Sequence, residues 1–448
     1  MQITERAHRV IEPLLQAALI AAVGLRLEIN LLPIRKYNES LPGLNISLML
    51  LASLAALAVR ALRRRRGEPR ERIVPPAFGV LTVVLLVWCG VGLAGTSEIV
   101  LGFYSWFSLA ACLLYTWMIA AEFGRRDTLA RAVLLVACIL GVNGLVGVLQ
   151  GTVGWLTDIP ALSIGKAENR QLFAGDTILR SVGLQVTANS FAWFLATLLP
   201  IVMAPVLLGV PALTARARRA MAGTAVIGML ALLLSYSRGG WLAYAATMLL
   251  LCAMALRSAA PADRRPVRRR LMAFALAGAL LAAPFAGPIY TRLTEDDRGA
   301  VYTRIPLALV AIDMIAARPL RGVGLSEYEA EMRGYDRTPE RISEDFSWPV
   351  HNIVLHQAAE IGVPGLAVFL ALVGLAVREA LLAARSRTPL VHATAIGLLC
   401  AMFAFFLIGM KEPGTLGSPQ MRLCFLGCGL MLALGRVHRA DAPGTERR

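Results

Sequence analysis

Histidine is the one side chain whose ordinary pKa, about 6.5, lets it exchange a proton near neutral pH, and this chain has five. His8 and His438 lie in terminal tails, and His392 borders an Arg-rich connection. His351 and His356 differ from these. They bracket the run His351-Asn352-Ile353-Val354-Leu355-His356, which follows a long polar stretch, residues 289–350, in an otherwise apolar chain. A base at a membrane edge suggests acid–base chemistry on a lipid-linked substrate. A set of cations accompanies it. Arg238 lies in Ser235-Tyr236-Ser237-Arg238-Gly239-Gly240-Trp241, and Arg180 in Leu179-Arg180-Ser181-Val182-Gly183, ahead of Asn189. Arg304 begins an apolar run, Arg321 lies in Pro319-Leu320-Arg321-Gly322-Val323-Gly324, and Lys411 and Glu412 follow an apolar segment. Guanidinium groups grip phosphate oxygens through paired hydrogen bonds, so such a set suits a phosphorylated substrate.

Each of these residues also has a plain structural reading. Arg238 sits in a connection of almost no length, and it is either a fixed fork for phosphate or an interfacial arginine snorkelling to lipid headgroups while Gly239-Gly240 makes the turn. Arg180 and Arg304 would serve equally as solvated or ion-paired residues. His351 would be either a base or a residue packed ahead of a helix that Asn352 caps. His356 lies about 140° round a helix from His351, so the two rings would not share a face. Glu360 would lie on the opposite side and is a poor partner for the His351 ring. The only lysines are Lys36, Lys166 and Lys411.

The elements that must position these groups are membrane helices. Hydrophobic residues make up 57% of the 448 positions and the mean hydropathy is +0.63, whereas soluble domains are about 45–50% apolar. Apolar runs of about 20 residues recur along the whole length, the mark of an all-α polytopic integral membrane protein. Twelve spans are predicted: 10–27, 43–62, 73–93, 99–121, 129–153, 188–210, 221–236, 241–256, 271–288, 353–377, 391–410 and 421–435. No cleavable signal peptide is expected. With both termini cytoplasmic, 28 of the 45 Lys and Arg fall inside and 19 of the 29 Asp and Glu outside, as the positive-inside rule requires. The runs 63–66 and 268–270 then read as topology signals and contacts for anionic membrane lipids. They form no single basic face, so no nucleic-acid partner is implied. All seven cysteines fall inside predicted spans, and no disulfide framework is expected.

The predicted organisation is a nine-span membrane region (1–288), a large outer loop with short helices between spans nine and ten (289–350), a three-span region (351–435) and a basic cytoplasmic tail (436–448). Within the loop, residues 304–317 are expected to form a helix on the membrane surface or dipping into it. Gly322-Val323-Gly324 resembles part of a nucleotide loop but lacks the third glycine and a preceding strand. The outer side has no Asp-x-Asp pair, so neither a metal site nor any other cofactor is expected, and a diphosphate would have to be neutralised by arginines.

Taken in order, Ser237-Arg238-Gly239-Gly240-Trp241, Arg304, Pro319-Leu320-Arg321-Gly322-Val323-Gly324, His351-Asn352-Ile353-Val354-Leu355 and Glu360-Ile361-Gly362-Val363-Pro364-Gly365 resemble the core of the O-antigen ligase and polymerase superfamily of bacterial lipid-linked glycan transferases. The resemblance covers about residues 180–372. It implies a metal-independent glycosyltransferase of the inner membrane, acting on the periplasmic side in lipopolysaccharide biosynthesis. The ligase member moves O-antigen from undecaprenyl diphosphate to a sugar hydroxyl of lipid A-core, with inversion at the anomeric carbon. Carried onto this chain, His351 would be the general base, Arg238 and Arg304 would bind the diphosphate, and Arg180 with Asn189 would line the same site. Arg321, Asn352, His356 and Lys411 would be supporting residues. Three other readings remain: an O-antigen polymerase using the same residues, a protein-directed oligosaccharyltransferase, and a transporter of lipid-linked glycan. A transporter is expected to show paired broken helices and charges near mid-span, whereas the charges here gather at span ends.

Overall fold

A computed structural model describes residues 2–25, 27–32, 44–65, 71–154, 170–173, 176–294 and 298–441. Lys36, Lys166, Arg66 and residues 442–448 lie outside the described residues. The helices are α1 (Gln2–Gly24), α2 (Leu48–Arg65), α3 (Pro76–Gly92), α4 (Ile99–Glu122), α5 (Arg126–Val153), α6 (Ala188–Leu208), α7 (Ala215–Leu234), α8 (Arg238–Ser258), α9 (Arg264–Ala282), α10 (Ala286–Thr294), α11 (Arg298–Ala317), α12 (Tyr328–Tyr335), α13 (Ile342–Asp345), α14 (Ile353–Ala383), α15 (Pro389–Gly409) and α16 (Met421–Asp441). The protein is an all-α polytopic membrane protein. Among the described residues nine helical stretches are long and apolar enough to cross a bilayer, and Val10–Gly24 and Pro76–Gly92 are shorter apolar segments.

The structure departs from the hydropathy reading in three places. Residues 44–47, expected as the start of span two, form β2 (Leu44–Ser47), which pairs antiparallel with β1 (Glu28–Leu32). A second hairpin joins β3 (Arg170–Phe173) to β4 (Asp176–Leu179). Strands this short repeat their pattern too few times to stand out from an apolar background. Span nine does not end at residue 288, because α9 runs through one 3-10 turn (Ala283–Phe285) into α10.

Burial is graded across the bundle. α6 and α16 are enclosed almost all round, and α6 packs against α15, α7 and α8. Thr187 caps the start of α6 by accepting from the Ser190 amide, and Gly209 ends it in the left-handed conformation. α9 is at the other extreme, with Met272, Leu276 and Leu280 more than 60% exposed. Apolar side chains on such a face fit hydrocarbon rather than water.

The polar stretch folds into a cap. Leu307, Val310, Ala311 and Met314 of α11 form a core of their own with Val323, Tyr328 and Met332. α11 packs on α14 and α12, so protein covers one of its sides, while Tyr302, Ile305, Leu309 and Ile312 on α11 are left exposed. The cap is tied to the bundle through the backbone. Val323 N donates to Ala359 O, Gly324 N to Glu360 O and Val363 N to Pro319 O, each at 2.9 Å. Residues 319–324 thus lie as a strap across α14, and α14 breaks there: Gly362 has φ 71°, ψ 168°. Gly322 also has φ 71°, and a Cβ on it would collide with the Glu360 carbonyl. A Cβ on Gly362 would collide with the Leu320 carbonyl.

Left-handed strain and backbone collision together cost about 1–3 kcal/mol or more. Gly362→Ala is therefore expected to lower the melting temperature of the detergent-solubilised protein clearly. Gly374→Ala, on the same helix in open space, is expected to leave it nearly unchanged. Thermal denaturation of the two purified variants checks this.

Candidate active site

Arg238 is the first residue of α8, and the turn before it is strained. Tyr236 has φ 50°, a conformation that costs a non-glycine residue about 1–2 kcal/mol. Three contacts hold it there. The Tyr236 ring meets the Trp241 ring at 6.2 Å, Trp241 Nε1 donates to Leu232 O at 2.9 Å, and Arg292 Nε donates to Tyr236 O at 3.3 Å. Ser237 caps α8 by accepting from the Gly240 amide. The small Gly239 leaves room for the Lys411 stem, whose Cδ would lie 3.5 Å from a Cβ at that position.

Asn189, in the first turn of α6, is the hub of the cluster. Its Oδ1 accepts from Arg180 Nη2 at 2.9 Å and from Ser237 Oγ at 3.0 Å. Its Nδ2 donates to Glu412 Oε1 at 2.9 Å. Arg180 is buried, and its Nε donates to Ser235 O at 2.9 Å. One side chain therefore joins the segment before α6, the α7–α8 turn and the α15–α16 connection. Burial pushes the Glu412 carboxyl up to about 7, although Arg304, Arg180 and the Asn189 amide favour its charged form.

His351 lies just ahead of α14. Asn352 caps that helix, its Oδ1 accepting from Val354 N at 2.9 Å and Leu355 N at 3.1 Å, as its position in sequence implied. The partly buried His351 ring is held below its ordinary pKa by desolvation first, then by Arg304 and by His356. That shift favours the neutral ring. Among the described residues its buried Nδ1 has no hydrogen-bond partner. Arg304 is exposed on α11, within electrostatic reach of both His351 and Glu412.

The structure thus brings Arg180, Asn189, Arg304 and Glu412 into one cluster, with His351 reached through Arg304 and Arg238 and Lys411 at its margin. Two expected supporting residues fall elsewhere. Arg321 donates to Ala94 O at 3.2 Å and lies against Gly95, at the α3–α4 turn, so it braces the cap rather than the cluster. His356 is buried and its role is to join elements. Its Nδ1 accepts from Gly414 N at 3.1 Å, its Nε2 lies 3.4 Å from Glu360 Oε1, and its ring meets Tyr328 edge-on at 5.1 Å. Glu360 Oε1 also takes the Ser326 amide at 2.9 Å. The His356–Glu360 pair is spaced i, i+4, a pattern the sequence itself carries. Glu412 follows Lys411, and nothing in the local sequence points to its partners Asn189, Arg180 and Arg304. Among the described residues no three His, Cys, Asp or Glu side chains converge as metal ligands. A separate cleft of about 680 Å³, towards the far end of α14, is lined by Arg72, Arg125, Arg378, Arg436 and Arg439 together with Glu71 and Glu379.

Asn189 serves three partners, and no aliphatic residue replaces them. Asn189→Ala is expected to lower kcat/KM by about 10–100-fold, the effect of misplacing charged groups at a site. Steady-state kinetics with the purified variant, alongside its melting curve, checks this.

No curated protein matches the chain. Residues 223–370 match the family model described as O-Antigen ligase. The matched third of the chain runs from α7 through the Arg238 turn and the cap to α14, and it contains Arg238, Arg304, Arg321 and His351. Arg180, Asn189, Lys411 and Glu412 lie outside it. That match puts the 223–370 segment, with the arginine turn and His351 in it, in the O-antigen ligase/polymerase superfamily of glycosyltransferase-like enzymes.

Proposed function

We propose that the protein is an O-antigen ligase. It transfers O-antigen polysaccharide from undecaprenyl diphosphate to a sugar hydroxyl of lipid A-core, at the periplasmic face of the bacterial inner membrane. The observation that carries this reading is a half-buried histidine, His351, held below its ordinary pKa by desolvation and by Arg304, both residues lying inside the segment that matches the ligase family. Both termini would be cytoplasmic, which the charge distribution supports.

The donor diphosphate lies against Arg238 and Arg304, with Arg180 behind them adding charge and holding the turn. The acceptor hydroxyl attacks the anomeric carbon from the face opposite the diphosphate. As that C–O bond forms, the bond to the diphosphate breaks, and its electron pair departs with undecaprenyl diphosphate. His351 takes the hydroxyl proton as attack proceeds. The arginines stabilise negative charge developing on the leaving group, so no metal is required for neutralisation. A single in-line displacement inverts the anomeric configuration.

The test is transfer by the purified protein from an undecaprenyl-diphosphate glycan to rough lipopolysaccharide, without nucleotide and with a chelator present. Glycan on lipid A-core is the expected product. A longer glycan still on undecaprenyl diphosphate would make the protein a polymerase, and no covalent product would make it a transporter. His351→Ala is expected to lower kcat by about 10²–10⁴-fold. Because the His351 pKa lies below its ordinary value, wild-type activity should rise with pH only on the acid side of about 6.5 and then level with respect to this group. A pH–rate profile of kcat checks this.

A further inference from the structure

Glu412 is a carboxylate in the midst of the groups that would receive an anion. Asn189 donates to its Oε1 at 2.9 Å, and Arg180, held by the same Asn189, and Arg304 of α11 both act on it electrostatically. His351, ahead of α14, shares Arg304 with it. Its chain neighbour Lys411 lies against Gly239, next to Arg238. The base mechanism gives this acid no task. A fixed carboxylate there would repel a diphosphate and compete with it for the same arginines.

We propose that Glu412 is the resident counter-ion of the arginine cluster, and that it takes up one proton from solvent when a diphosphate binds there. This rests on the reading of the donor as a diphosphate-linked lipid. With the site empty, the carboxylate offsets arginine charges held close together and partly out of water. When the donor arrives, its two phosphates take over that task. The carboxylate is left near two negative charges and becomes the neutral acid, still able to accept from the Asn189 amide. Glu412 is a positioning residue in this account and makes no bond to the substrate.

The carboxyl already sits near neutrality, so little work is needed to protonate it. The sign follows from linkage. The bound state carries the proton and the empty state loses it as pH rises through about 7, so donor affinity is full below that pH and falls above it by up to tenfold per unit. The His351 pKa is shifted the other way, below its ordinary value, so its titration lies on the acid side of the fall expected above pH 7.

The probe is undecaprenyl-diphosphate-N-acetylglucosamine, whose diphosphate is esterified at both ends and does not titrate near neutrality. Its Kd for the full-length protein in detergent is measured from about pH 6 to about pH 9, and calorimetry in two buffers of different ionisation enthalpy counts protons. Wild type should weaken steadily above about pH 7 and take up close to one proton per donor at the alkaline end. Glu412→Gln should bind with little pH dependence and more tightly than wild type at the alkaline end. A pH slope that survives in Glu412→Gln, or wild-type binding without proton uptake at alkaline pH, would overturn the proposal. Should Glu412→Gln not fold, the wild-type proton count decides alone. Binding by neither protein at any pH would overturn the diphosphate-donor reading itself, and is distinct from pH-independent binding, which defeats only the role of Glu412.

Discussion

The break in α14 at Gly362 is the constraint on which the rest of the site depends. An unbroken helix from Asn352 to Ala383 would present no free carbonyl or amide to a crossing segment, because each would be bonded within the helix. At the break, Ala359 and Glu360 carbonyls and the Val363 amide turn outward and take the 319–324 strap. The short stretch of α14 before the break thereby bridges two cores, meeting the cap through Ala359 and the bundle through Ile353 and Ile361. His351 lies just ahead of that stretch, where Asn352 fixes the backbone. His356 and Glu360, on the same stretch, tie it to the α15–α16 connection through Gly414 and to the cap through Ser326. A shift at the break would move the base, the cap and the Glu412 loop together.

The electrostatics of the cluster follow from this rigidity. Arginines gathered at a membrane edge repel one another, and water screens them less as they are buried. Two devices hold them here. Asn189 uses both ends of its amide to set Arg180 and Glu412 at fixed positions, and Glu412 supplies the compensating charge. Cations already oriented need no reorganisation when charge develops on a leaving group. Desolvation holds the His351 pKa below its ordinary value, and Arg304 adds to that effect while also acting on Glu412.

Much of this was legible in the sequence because it involves rare residues in an apolar background. Membrane helices announce themselves by composition, and histidine or arginine beside them stands out; Asn352 could be read as a cap from its position alone. What escaped had one of two causes. β1–β2 and β3–β4 are too short for alternation to be counted, and β2 was absorbed into an apolar run. The Asn189–Glu412 bond joins residues far apart in sequence, and no local pattern reports such a pairing. Arg321 stands apart from the cluster for a related reason. Its motif marks the strap, whose glycines answer to the α14 backbone, and the arginine just ahead of Gly322 reaches the α3–α4 turn.

The Arg180–Asn189–Glu412 chain of contacts has a consequence for biogenesis. Asn189 enters the membrane with α6, but Glu412 follows α15, near the end of the chain. During synthesis the arginines of the cluster are therefore present well before their counter-ion. Until the last two helices insert, the half-built site is an unneutralised cationic patch at the membrane edge. The Asn189–Glu412 contact that completes the cluster therefore forms only once the chain beyond α15 is in place.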